Sequence, residues 1–193
     1  MKKRDFFKVV SALLVAPTIG LSHFAKAAPE TKTSSIKTAV VYFTKTGNTE
    51  SVAKAVQAAI GADLYRVETV EPYPDGYRET TNIVRKEIEN GTIRPIKELK
   101  INLAQYDAIV LASPTWWHHI ASPLEAWIKT VDLSGKLILT CNTHGGGGIM
   151  HTREDYERLL PKSSLGSHFT VYGSVSLQSR AVRTWLRENK LID

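Results

Sequence analysis

Apolar and polar residues alternate along this chain in blocks of two kinds. Short apolar runs cover residues 39–43, 108–112 and, broken only by Thr140, 137–141. Runs of this length, bounded by glycine and hydroxyl residues, fit buried strands. Between them apolar positions recur at three- and four-residue intervals, the one-face spacing of helices. Val52, Ala55, Val56, Ala59 and Ile60 do so after the first run. Tyr77, Thr81, Val84 and Ile88 follow a turn at residues 71–76. Leu124, Trp127, Ile128 and Val131 follow the second run, Tyr156, Leu159 and Leu160 the third, and Val182, Trp185 and Leu186 come near the end. Two more strands are expected. Residues 62–69 alternate Tyr65, Val67 and Thr69 with Leu64, Arg66 and Glu68, as at a half-polar sheet edge. Residues 168–172 form the last strand. Local signals punctuate these elements. Gly61 sits where a left-handed helix cap belongs. Ser122-Pro123-Leu124-Glu125 reads as a capping box with proline in the first turn, and Thr152 with Asp155 as a second capping pair. Pro161 stops one helix and Ser179 starts the last. Residues 92–105 show no period.

The sum is a strand–helix alternation repeated five times, which predicts an α/β, doubly wound, five-stranded parallel sheet with helices on both faces. In such a sheet the ligand site lies beyond the carboxyl ends of the strands, where the strand order reverses. The loops after strands 1, 3 and 4 meet there, and each is chemically odd for a connector. The first is Thr44-Lys45-Thr46-Gly47-Asn48-Thr49, directly before a helix. A helix N-terminus there aims free backbone N–H groups at one point, which attracts an anion, most naturally a phosphate. The hydroxyls and Asn48 add donors, and Gly47 allows close backbone approach. An ordinary N-capped helix would carry the same residues, so the loop alone leaves both readings open. It is neither G-x-x-x-x-G-K-[ST] nor G-x-G-x-x-G, which disfavours a nucleotide triphosphatase and a dinucleotide Rossmann site.

With these residues in view, the chain resembles the flavodoxins. The first loop is similar to their hydroxyl-x-Thr-Gly-Asn-Thr phosphate loop. Ser113-Pro114-Thr115-Trp116-Trp117 and Thr143-His144-Gly145-Gly146 are similar to the Trp-Trp and Thr-His-Gly-Gly loops of short flavodoxin-like proteins. The resemblance runs from about Lys37 to the C-terminus. It implies the strand order 2-1-3-4-5, bound FMN as cofactor and electron transfer as function. The cofactor-binding residues it implies are Thr44, Lys45, Thr46, Gly47, Asn48 and Thr49 at the phosphate, with Lys45 mostly facing solvent. Pro114, Thr115, Trp116 and Trp117 follow, at least one tryptophan lying at the ring. Thr143, His144, Gly145 and Gly146 complete the set, offering backbone N–H groups to the ring's pyrimidine carbonyls. Trp127 and Trp185 lie on apolar helix stripes and read as core.

Composition narrows the picture. The chain has 193 residues, enough for one domain. Its single cysteine, Cys141, excludes an internal disulfide framework and a cluster held by four thiolates of this chain. The net charge is +6, but residues 1–27 hold five of the 25 basic residues and one of the 19 acidic ones. That leaves 20 against 18, a net +2 over the rest, and no footprint for nucleic acid. His118, His119, His144 and His151 gather near the site loops without any H-x-x-x-H spacing, so no metal is expected. His118 and His144 are the candidate proton donors beside a reducible cofactor.

Residues 1–27 read as a signal peptide. Lys2-Lys3-Arg4 is the basic region, residues 9–21 the interrupted apolar stretch and Ala25-Lys26-Ala27 the cleavage signature. The apolar stretch is short for a membrane span, which needs about 20 residues. Lys3-Arg4-Asp5-Phe6-Phe7-Lys8 resembles a twin-arginine export motif with lysine at the first position. Residues 28–36 form a polar leader and 37–193 the domain. The expected location is periplasmic, with secretion or a signal anchor as alternatives and no stable membrane span after cleavage. The expected partner is a redox protein or a small-molecule electron acceptor. Lys45, His118, His119 and His144 stand in sequence near the site, unlike the acidic surround of typical electron carriers. A two-electron reductase of a quinone-like molecule is therefore a second expectation, and a noncatalytic flavin-binding module a third.

Overall fold

The first apolar run is flanked by hydrogen-bonded strands on both sides, which is why all five of its residues are buried. This is β1 (Thr38–Tyr42) in a computed structural model that describes residues 36–193. The expected signal peptide and nearly all of the leader lie outside the described residues. The remaining elements are α1 (Asn48–Ile60), β2 (Asp63–Arg66), α2 (Tyr77–Glu89), β3 (Ala108–Trp116), β4 (His119–Ile120), α3 (Ser122–Ile128), β5 (Leu137–His144), α4 (Thr152–Leu159), β6 (Ser164–Tyr172) and α5 (Arg180–Glu188). Apart from the two-residue β4, the strands form one parallel sheet in the order β2-β1-β3-β5-β6. That is the expected order 2-1-3-4-5, counted without β4.

The sheet buries two apolar layers. Val40, Val110, Leu139 and Cys141 face α1 and α5, meeting Val52, Val56, Val182, Trp185 and Leu186. Val41, Ile109, Leu111 and Ile138 face the other side, meeting Val84, Leu124, Trp127, Ile128 and Tyr156. Trp127 is 2% exposed and Trp185 3%. Gly61 closes α1 at φ 70°, and the Ser179 hydroxyl caps α5 by accepting from Val182 N–H.

Several local expectations give way to longer-range bonds. β3 and β5 run on past their apolar stretches, pairing Ser113 with Asn142 and Pro114 with Thr143. Polar residues can continue a buried strand when every group is satisfied. The Ser113 hydroxyl accepts from Ala121 N–H at 2.8 Å, and Asn142 is bonded as described below. Neither expected capping box forms. Ser122 lies inside α3 and its hydroxyl accepts from Arg94 N–H at 2.8 Å. The Asp155 carboxylate, inside α4, accepts from Ile120 N–H at 3.1 Å and contacts His119 Nδ1 at 3.0 Å. The inner face of α2 is also turned from the expected stripe. Thr80, Val84 and Glu87 are buried, while Tyr77 is 84% exposed and Ile88 43%. Glu87 can point inward because Tyr73 Oη and Arg94 Nε each donate to it at 2.7 Å.

Candidate functional site

At the carboxyl ends of β1, β3 and β5 the chain forms a cleft of about 520 Å³, within the 300–1,000 Å³ range of small-molecule sites. Its floor is the loop between β1 and α1. The Thr44 hydroxyl accepts from Gly47 N–H at 3.0 Å, which folds the loop back on itself. Gly47 holds φ 89°, a left-handed conformation that turns the chain into α1. The first intrahelical bond runs from Ser51 N–H to the Gly47 carbonyl at 2.9 Å. Among the described residues the N–H groups of Thr46, Asn48, Thr49 and Glu50 have no partner. Four free donors at a helix N-terminus form an anion site. The hydroxyls contribute less than the sequence implied. Thr44 is buried and engaged with Gly47, and Thr49 shares a hydrogen bond with Thr143 at 2.9 Å. Thr46 and Asn48 are the side chains left facing the cleft. Lys45 Nζ donates to the Asp75 carbonyl at 3.0 Å, tying this loop to the turn before α2.

The second wall comes from β3. The chain reverses at Trp117 and His118 to make β4, which pairs antiparallel as Thr115 with Ile120 and Trp116 with His119. Trp117 and His118 both have positive φ, 47° and 74°. Such two-residue hairpins normally use Asn-Gly. A bulky residue there costs roughly 1–2 kcal/mol, so the hairpin carried no turn signal to read. Both tryptophans line the cleft. Trp116 packs edge-on against Tyr73 (4.9 Å between centroids) and Phe43 (5.4 Å). Trp117 donates from Nε1 to the Thr81 carbonyl at 2.9 Å and carries the Arg85 guanidinium 4.5 Å over its ring. Behind Trp116, Tyr73, Glu87 and Arg94 form a buried network with Arg94 over the Tyr73 ring at 4.0 Å. Burial, then the bond to Glu87, pushes the Tyr73 hydroxyl well above its ordinary pKa, so it stays a neutral donor.

The third wall is the glycine loop after β5. His144 Nδ1 accepts from Gly146 N–H at 3.1 Å, and Gly146 and Gly148 hold φ 140° and 74°. Asn142, fully buried beneath this loop, donates from Nδ2 to the Thr115 hydroxyl and to the Gly148 carbonyl at 3.0 Å. Its Oδ1 meets His168 Nε2 at 2.7 Å, and His168 Nδ1 meets the Thr140 hydroxyl at 2.9 Å. Burial, with help from the Arg153 charge, lowers the His168 pKa from 6.5 to about 4. The unfolded chain therefore takes a proton that the folded chain refuses. Stability from this residue is full above pH 6.5 and is lost as pH falls toward 4, by roughly 3 kcal/mol in total. Urea midpoints measured from pH 7 to pH 4 should fall more steeply in the wild type than in His168→Gln.

The structure thus brings together Thr44, Lys45, Thr46, Asn48, Thr49, Pro114, Thr115, Trp116, Trp117, His118, Thr143, His144 and Gly145 as lining. Gly47 and Gly146 shape their loops without lining the cleft. His119 does not join it. It turns to Asp155 and stacks on His151, 5.5 Å between centroids. A fourth wall was missed: Asp75 from the turn before α2, and Tyr77, Thr80, Thr81 and Val84 from α2 itself. A tyrosine at helical spacing reads as core, and only its position at the helix N-terminus hinted otherwise. Among the described residues no group of three His, Cys, Asp or Glu side chains is placed to hold a metal ion. A neighbouring cavity of about 320 Å³ includes Arg66, Glu68 and Lys97. Lys97 there is paired with Glu68 at 2.9 Å.

A flat aromatic ligand with a phosphate tail suits this donor set: free amides at one end, two indoles and a tyrosine along the walls, and glycine backbone at the far edge. A candidate flavoprotein from Bacteroides eggerthii superposes with TM-score 0.69 at 26% identity, covering 79% of this chain and 96% of that one. A flavoprotein from Lactobacillus acidophilus, solved in complex with FMN, shares the fold with TM-score 0.62 at 19% identity, over 72% and 93%. An NAD(P)H dehydrogenase (quinone) of Chromohalobacter salexigens is 33% identical over 57% of this chain. The match spans about 60% of that relative's length. The flavodoxin family model matches residues 37–189, and on that extent this chain belongs to the flavodoxin family.

Proposed function

We propose that this cleft binds FMN and that the protein acts in electron transfer. The observation that carries the reading is the set of free N–H groups at Thr46, Asn48, Thr49 and Glu50, facing a cleft walled by Trp116, Trp117 and Tyr77. The amides and the positive end of α1 hold the phosphate. Trp116 and Trp117 offer aromatic surface to the ring, each stacking worth about 0.5–1.5 kcal/mol beyond area burial. The glycine loop brings backbone close to the ring's polar edge. When bound, FMN supplies the redox chemistry, and the protein tunes it by charge and hydrogen bonding.

A second reading, a two-electron reductase of a quinone-like molecule, is favoured by the cleft rim. Lys45, His118 and His144 line it with a single carboxylate, Asp75, where electron carriers are strongly acidic, and Tyr77 leaves an exposed aromatic face beside it. The Lys45 ammonium there raises the potential of a bound flavin. The relative from Chromohalobacter salexigens points the same way. His118 and His144 line that cleft and are the candidate proton donors to an acceptor there. Export to the periplasm, directed by residues 1–27, is part of the proposal. No described helix is long and apolar enough to cross a membrane.

FMN-loaded protein given NAD(P)H with and without a simple quinone separates these readings. An electron carrier should be reduced and reoxidised reversibly by chemical agents, and quinone should not stimulate NAD(P)H oxidation. Saturable, quinone-dependent oxidation of NAD(P)H would establish the reductase instead. Bound FMN that cannot be reduced reversibly would leave only a binding module.

A further inference from the structure

The hydrogen bonds beneath the glycine loop have a direction that the chemistry of their ends imposes. The Gly148 carbonyl can only accept, so Asn142 must present its NH₂ group there. The other N–H of the same group reaches the Thr115 hydroxyl. Asn142 Oδ1 is then left as an acceptor for His168, which must carry its proton on Nε2. His168 Nδ1 in turn accepts from the Thr140 hydroxyl. A β-bulge makes this alignment possible. Ile138 pairs with Leu165 but Thr140 with His168, so β6 has one extra residue and places the imidazole beside Asn142. Gly166 lies in the bulge, where a Cβ would collide with Asn189.

Thr115 is the end of this chain that reaches the cleft. Its oxygen accepts from Asn142, and among the described residues its hydroxyl has no other partner. A hydroxyl has one proton to give. We infer that Asn142 is a positioning residue: it occupies the acceptor side of the Thr115 hydroxyl and leaves its proton for an acceptor atom on the bound flavin ring. The same amide fixes the glycine loop to β3, so the two walls of the cleft are held in register by one buried side chain. The inference rests on the FMN reading above and adds to it two residues, Asn142 and His168, that touch no ligand.

The test combines a mutant cycle with a measurement on the protein without FMN. Asn142→Leu and Thr115→Val should each weaken FMN about tenfold, the scale of one lost hydrogen bond. The double variant should lose no more than Asn142→Leu alone, because the contribution of the Thr115 hydroxyl is already gone once Asn142 no longer orients it. Both variants should displace the visible absorption band of bound FMN alike, which general loosening of the fold would not do. Thr115→Ser should retain wild-type affinity and spectrum. In the FMN-free wild type, ¹⁵N NMR should show His168 as the Nε2–H tautomer. Additive losses, an unchanged Thr115→Val, or an Nδ1–H tautomer would overturn the inference. Should Asn142→Leu fail to fold, the Thr115 pair and the tautomer still decide it. A wild type that binds no FMN would instead refute the cofactor reading and the ring contact with it, while the tautomer continues to report the bond direction.

Discussion

Gly47→Val should weaken FMN binding by about two to four orders of magnitude while leaving a folded protein. Gly47 holds φ 89°, and a Cβ built there meets nothing within 4 Å. The variant is therefore not excluded by a clash. It is excluded by conformation, since a β-branched residue in left-handed space costs roughly 1–2 kcal/mol. The loop can relieve that cost by reopening, which breaks the Gly47 N–H bond to Thr44 and turns the neighbouring amides away from one point. Hydrogen bonds to a charged group contribute about 1.5–3 kcal/mol each, so losing two accounts for the expected range. Thermal unfolding should show only the small conformational cost. Retained FMN affinity in a folded Gly47→Val protein would contradict the placement of the phosphate.

Glu87→Ala should destabilise the protein by about 3–5 kcal/mol, the cost of leaving one member of a buried ion pair alone. The Glu87 and Arg94 side chains are only 9% and 14% exposed, with 2.7 Å between Oε1 and Nε. The variant also leaves the Tyr73 hydroxyl without its acceptor. Removing Arg94 in the same chain should recover part of the loss, because the uncompensated charge is then gone. Tyr73 supports Trp116, so FMN affinity should fall as well. Urea unfolding measures the stability term directly. A change below about 1 kcal/mol would show that water, and not the carboxylate, satisfies Arg94.

The parallel sheet and the place of the cleft could be read from the residue pattern because both depend on local, repetitive signals, whereas the individual residues of the Trp-Trp and glycine loops came through the resemblance to flavodoxins. Continuous apolar runs mark buried strands, and hydroxyls with a glycine before a helix mark an anion site. What could not be read depends on partners distant in sequence. Glu87 looks like a surface residue until Arg94 and Tyr73 close around it. Ser122 and Asp155 look like helix caps until Arg94 N–H and the β4 backbone claim them. The Trp117–His118 hairpin violates its own turn preferences and is held by bonds to α2. Asn142 stood in an unremarked stretch between Cys141 and Thr143, yet it connects two walls of the site. Tyr77 misled in the opposite direction, being apolar, helically spaced and almost fully exposed.

The most direct measurement is a titration of the purified, cofactor-free protein with FMN, followed by flavin fluorescence and visible absorption. Binding at one site per chain, with fluorescence quenched by Trp116 and Trp117 and lost in Gly47→Val, is the predicted result. A folded wild type that leaves the fluorescence of added FMN unchanged would contradict the assignment of this cleft.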